Sequence, residues 1–151
     1  MEYGVAFWQP LCFIFAQKFV KPKFVNFIPA AVWTVVIYIL LVMPAADIPA
    51  SPFLELIHFD KWVHAGLFGT LSLLACAPFF KTKYASLSLF IWISVAALAY
   101  GIVMEFVQKY FTTDRDFDVL DMAADAAGVI LGCIFTNVMY KRVIKKQRAV
   151  V

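Results

Sequence analysis

The sequence predicts an all-α fold: an integral membrane bundle of four transmembrane helices with both chain ends on the cytoplasmic side. Three observations predict it. Hydrophobic residues make up 64% of the chain and the mean hydropathy is +0.84, against about 45–50% apolar in a soluble domain. Four apolar stretches reach or exceed the roughly 20 residues that cross a hydrocarbon core of about 30 Å. The charges segregate to alternate ends of those stretches.

The elements follow in chain order. Residues 1–26 open with "YGVAFWQPLCFIFA", which is apolar but short and interrupted by Pro10. It carries no basic leader and no A-x-A site, so it does not read as a cleaved signal peptide. Its aromatics Tyr3, Phe7, Trp8, Phe13 and Phe15 suit an interfacial or re-entrant segment, with a short fifth span over residues 3–16 as the alternative. The membrane domain follows at 27–140. Its spans are expected near Phe27–Ala46, Lys61–Phe80, Ala85–Phe111 and Val119–Tyr140. Pro29 falls in a first helical turn, while Pro44 and Pro78 fall near helix ends, where a missing N–H is tolerated. Residues 141–151 form a basic tail suited to anionic lipid.

Orientation comes from the basic residues. Lys18, Lys21, Lys23, Lys81, Lys83, Lys141, Arg142, Lys145, Lys146 and Arg148 fall on one side, out of 13 Lys and Arg in all. The positive-inside rule makes that side cytoplasmic. All the acids except Glu2 fall towards the other side. Net charge is +3, but the basic residues flank membrane segments, so no nucleic-acid partner is implied. Cys12, Cys76 and Cys133 each stand alone in apolar surroundings. They read as packing residues, and neither a cofactor nor a metal is signalled by them.

Three of the outward helix ends are polar. Asp60 and His64 are four apart and share a face of the second helix. Glu105 and Gln108 are three apart near the end of the third. Asp118, Asp121 and Asp125 line one face of the fourth at i, i+3 and i+7. A charge facing lipid costs about 2.5–3.5 kcal/mol or more, so these groups are expected to face one another in an outward polar pocket. Arg115 is the expected counter-ion, because its planar fork suits a carboxylate or phosphate. Structural readings stand beside this one. Asp60 and Asp118 can serve as helix caps, His64 as an interhelical hydrogen-bonding residue, and Glu105 as an ion pair with Arg115. Asp114 and Asp116 read as solvated loop charges. Further along the fourth helix, Gly128-x-x-x-Gly132 allows close approach of a neighbouring backbone.

The ordered set Asp60-x3-His64, Glu105-x2-Gln108, Arg115-x2-Asp118-x2-Asp121 and Gly128-x3-Gly132 resembles the VanZ-like family of small bacterial membrane proteins. The resemblance covers about residues 59–135. It implies a multi-pass protein of the bacterial cytoplasmic membrane, associated with low-level teicoplanin resistance. The family commonly has Asn where this chain has Asp125. Binding is then expected at Asp60, His64, Glu105, Gln108, Arg115, Asp118, Asp121 and Asp125. The partners would be membrane lipids and an envelope precursor or glycopeptide-related ligand. The alternatives are a membrane-embedded enzyme using His64, Glu105 and Asp121 as acid/base groups or as a divalent metal site, a structural partner-binding protein, and a proton-coupled carrier. No Ser–His–Asp spacing, phosphate loop or haem motif occurs.

Overall fold

In a computed structural model the described residues are 21–43, 53, 56–112 and 117–149, with the backbone alone for 145–149. The expectations for the N-terminal segment, Cys12, Arg115, Asp114 and Asp116 lie outside them. Among the described residues the structure is helical: α1 (Ile28–Val42), α2 (Phe59–Cys76), α3 (Leu87–Phe111) and α4 (Val119–Ala149). A 3-10 turn, Phe24–Phe27, leads into α1, and another, Ala77–Phe79, extends α2. Four helices are therefore long and apolar enough to cross a membrane: Phe24–Val42, Phe59–Phe79, Leu87–Phe111 and Val119–Ile144. This is the architecture of a multi-pass membrane protein.

Local chemistry sets the helix ends. α1 was expected to run to Ala46 but ends at Val42, because Met43 turns to an extended conformation (φ −58°, ψ 133°). Met43 precedes Pro44, and the proline ring disfavours αR at the residue before it. α3 starts at Leu87 because the Ser86 hydroxyl accepts the Leu89 N–H at 3.1 Å and caps the helix. α4 continues past Tyr140 to Ala149. The stretch after Tyr140 is polar, but it contains neither Gly nor Pro to stop a helix.

The helices bury one stripe each and leave the rest apolar and exposed. On α3 the buried stripe is Phe90, Ser94, Ala97, Gly101, Met104, Glu105 and Gln108, at helical spacing. Ile91, Trp92, Val95, Val103 and Phe106 face outward, as a lipid-facing surface requires. The shared core is Ile37, Leu41, Leu67, Phe68, Leu71, Ala97, Met104 and Val129. Few polar ties cross it. Trp33 Nε1–H donates to the Leu67 carbonyl at 2.9 Å, and Tyr100 O–H to the Thr34 carbonyl at 3.1 Å. Ser72 and Ser94 share a hydrogen bond of 2.7 Å between α2 and α3.

The tightest contact joins α2 to α4. A Cβ added at Gly128 would overlap the Ala65 carbonyl, and one at Gly132 would overlap the Gly69 carbonyl. Conversely, a Cβ at Gly69 would lie 2.8 Å from the Gly128 carbonyl oxygen. Small residues on both helices thus let the backbones touch, which is how helices gain dispersion energy where no hydrophobic effect separates them from lipid. This contact brings the polar starts of α2 and α4 side by side.

Candidate polar site at one end of the bundle

The starts of α2 and α4 and the end of α3 meet at the same end of the bundle, and their polar residues form two tiers. The outer tier is held by Lys61. Its ammonium bonds Asp121 Oδ1 at 2.7 Å and Asp60 Oδ2 at 2.9 Å, and it also pairs closely with Asp118 Oδ2. Asp60 and Asp118 reach the surface, with side chains 59% and 40% exposed, whereas Asp121 is 14% exposed. Asp118 also caps α4 by accepting the Leu120 N–H at 2.8 Å. The Lys61 ammonium and then the Leu120 N–H hold its carboxyl below the usual carboxylate range. Asp60 does not cap α2. The N-cap position belongs to His58, which takes a left-handed conformation (φ 49°, ψ 52°) and makes no side-chain cap bond.

The inner tier is His64, Glu105 and Asp125, all essentially solvent-free. His64 Nδ1 lies 3.0 Å from Asp125 Oδ1 and 3.9 Å from Glu105 Oε1. Its other nitrogen, Nε2, lies 4.0 Å from Asp121 Oδ2, which links the tiers. Glu105 is steadied from the α4 side, since the Asp118 backbone N–H donates to its Oε2 at 3.2 Å. Among the described residues, two buried carboxylate oxygens have no hydrogen-bond partner: Glu105 Oε1 and Asp125 Oδ2. Asp125 fits because Gly101 stands opposite it; a Cβ there would lie 2.6 Å from Asp125 Oδ2. One turn deeper, Phe68 and Val129 close the site with apolar side chains.

Of the residues expected to share this site, Asp60, His64, Glu105, Asp118, Asp121 and Asp125 come together. Gln108 faces another way, and its amide donates to the Leu41 carbonyl at 3.0 Å, tying α3 to α1. Arg115 lies outside the described residues. Lys61 is the counter-ion that the sequence reading missed. Its signal was partial: it lies three residues before His64, at helical spacing, but which face of α2 meets the acids of α4 is set by packing. The site also differs from an open cleft, because its inner tier is sealed by its own side chains.

The charge balance defines what this arrangement can do. Five carboxylates surround one ammonium and one imidazole. Among the described residues, the acids remain in excess even with His64 protonated. Buried negative charge in a low-dielectric setting demands protons or further cations. That excess of carboxylates would be offset by protons, by cations or by hydrogen-bond donors. No protein-family model, no curated protein and no solved structure matches this chain.

Proposed function

We propose that the chain is a VanZ-like protein of a bacterial cytoplasmic membrane, with the polar site at its outward end. There it binds the polar headgroup of an envelope lipid or lipid-linked precursor, and through it changes susceptibility to teicoplanin. The observation that carries this reading is the convergence of polar side chains from α2, α3 and α4 at one end of the bundle, with two buried carboxylate oxygens unpaired among the described residues. A purely structural cluster would be expected to satisfy its buried atoms internally. A polar cluster at one end of four helices long and apolar enough to cross a membrane suits a membrane-borne ligand. Amine and hydroxyl groups suit the acids, and the planar fork of Arg115, three residues before Asp118 in the sequence, suits a phosphate or carboxylate.

The test is teicoplanin susceptibility of a bacterial host carrying the wild type, Glu105→Gln or Asp121→Asn at matched membrane levels. The reading predicts raised resistance with the wild type and a loss of at least fourfold in inhibitory concentration with either variant. Equal susceptibility of all strains and the empty host would refute it.

A second reading, a membrane-embedded acid/base enzyme, is favoured by one contact: the buried His64–Asp125 pair with Glu105 beside it. It predicts that Glu105→Gln stays folded but is inert towards a lipid-linked substrate.

A further inference from the structure

We infer that His64, Glu105 and Asp125 bind a divalent transition-metal cation. The inference is independent of any role in glycopeptide susceptibility. Three facts support it. The first is donor spacing: one ligand atom from each residue lies within 4.8 Å of the others. Two donors each about 2.1 Å from one ion stand roughly 3.0 to 4.2 Å apart, depending on the angle between them. The distances of 3.0 Å and 3.9 Å from His64 Nδ1 to the two carboxylates already lie in that range.

The second fact is the pair of unsatisfied oxygens. Glu105 Oε1 and Asp125 Oδ2 are buried and find no hydrogen-bond partner among the described residues, and Glu105 is fully enclosed. Leaving such groups unpaired costs about 1–3 kcal/mol each, more when they are charged. Glu105 Oε1 is also the oxygen turned towards His64 Nδ1, while Oε2 is engaged by the Asp118 N–H. One oxygen is thus held by the backbone and the other presented to the site.

The third fact is the ordering around the ligands. Metal-binding histidines usually direct their second nitrogen at a carboxylate or carbonyl. With Nδ1 towards Glu105 and Asp125, His64 Nε2 faces Asp121. The three outer carboxylates, Asp60, Asp118 and Asp121, form a second group with suitable spacing. That group already holds the Lys61 ammonium, so the inner group is the one assigned to the ion.

One imidazole and two carboxylates suit Zn2+, Mn2+ or Fe2+ better than the oxygen-only sites preferred by Ca2+ and Mg2+. Three protein ligands leave coordination positions open. A bound ion would offset the excess of acids.

The test uses full-length protein, purified in detergent and stripped of metal. Titration with Zn2+ and with Mn2+ should give one saturable site per chain. Glu105→Gln and Asp125→Asn should each weaken it by tenfold or more, and Lys83→Gln, in the loop at the opposite end of the bundle, should leave it within twofold. Pulsed electron paramagnetic resonance of the Mn2+-loaded wild type should show coupling to an imidazole nitrogen. That reading needs no variant to fold. The inference is overturned if the wild type shows no saturable site, if Glu105→Gln and Asp125→Asn bind as tightly as it does, or if the bound Mn2+ has no nitrogen neighbour.

Discussion

Lys61 connects the surface to the interior of the polar site. Its ammonium meets Asp60, Asp118 and Asp121, and its side chain is only 19% exposed. Removing it leaves three carboxylates facing one another. Breaking a fully buried pair costs about 3–5 kcal/mol and an exposed pair about 1 or less, so Lys61→Met is predicted to destabilise the bundle by about 1–3 kcal/mol. Equilibrium unfolding in mixed detergent measures this. Adding Asp121→Asn to that background should recover part of the loss, since it removes one of the opposed charges. Additive losses would mean that the two residues do not interact. Sequence reasoning could place the five acids and the histidine that meet here, because each sits at i+3 or i+4 from another polar residue. It could not rank Arg115 against Lys61 as counter-ion, because that choice depends on which faces of α2 and α4 meet across space.

At the scale of elements, the stripe Ala65–Gly69 against Gly128–Gly132 sets how close α2 and α4 come. Gly128→Val places side-chain atoms where the Ala65 backbone stands. The helices must then separate, and the cost is predicted to exceed the ~1–3 kcal/mol of ordinary overpacking. A fall in detergent melting temperature of more than 5 °C, with loss of the polar site, is expected. Ala126→Val, on the same helix but away from that contact, is expected to change it by much less. A Gly128→Val protein as stable as wild type would show that the helices are not in backbone contact. The GxxxG spacing was legible because it needs only the period of one helix. Helix ends were less so: hydropathy stopped α4 at Tyr140, yet a helix follows hydrogen bonding and propensity, and "KRVIKKQRA" contains no breaker. The end of α1 at Val42 depended on the clash between Pro44 and the residue before it, a local rule that overrides the apolar run.

At the scale of the whole molecule, antiparallel neighbours in a four-helix chain put the starts of α2 and α4 and the end of α3 together. The basic residues Lys81, Lys83, Lys141 and Arg142 then gather at the opposite end. That fold class was legible from composition and length alone, because a bilayer restricts spanning structures to helices or closed barrels. The sealing of the inner tier was not legible, since burial of Glu105 and Asp125 depends on Gly101, Phe68 and Val129 closing around them. The central proposal is that the outer tier of the polar site faces outward from a four-span bundle. Cysteine labelling in intact cells tests it most directly. In a background with Cys12, Cys76 and Cys133 replaced by Ala, Asp60→Cys and Lys83→Cys are treated separately with a membrane-impermeant maleimide. The account predicts labelling of Asp60→Cys in intact spheroplasts and of Lys83→Cys only after permeabilisation. Labelling of Lys83→Cys in intact spheroplasts, with Asp60→Cys protected, would contradict it.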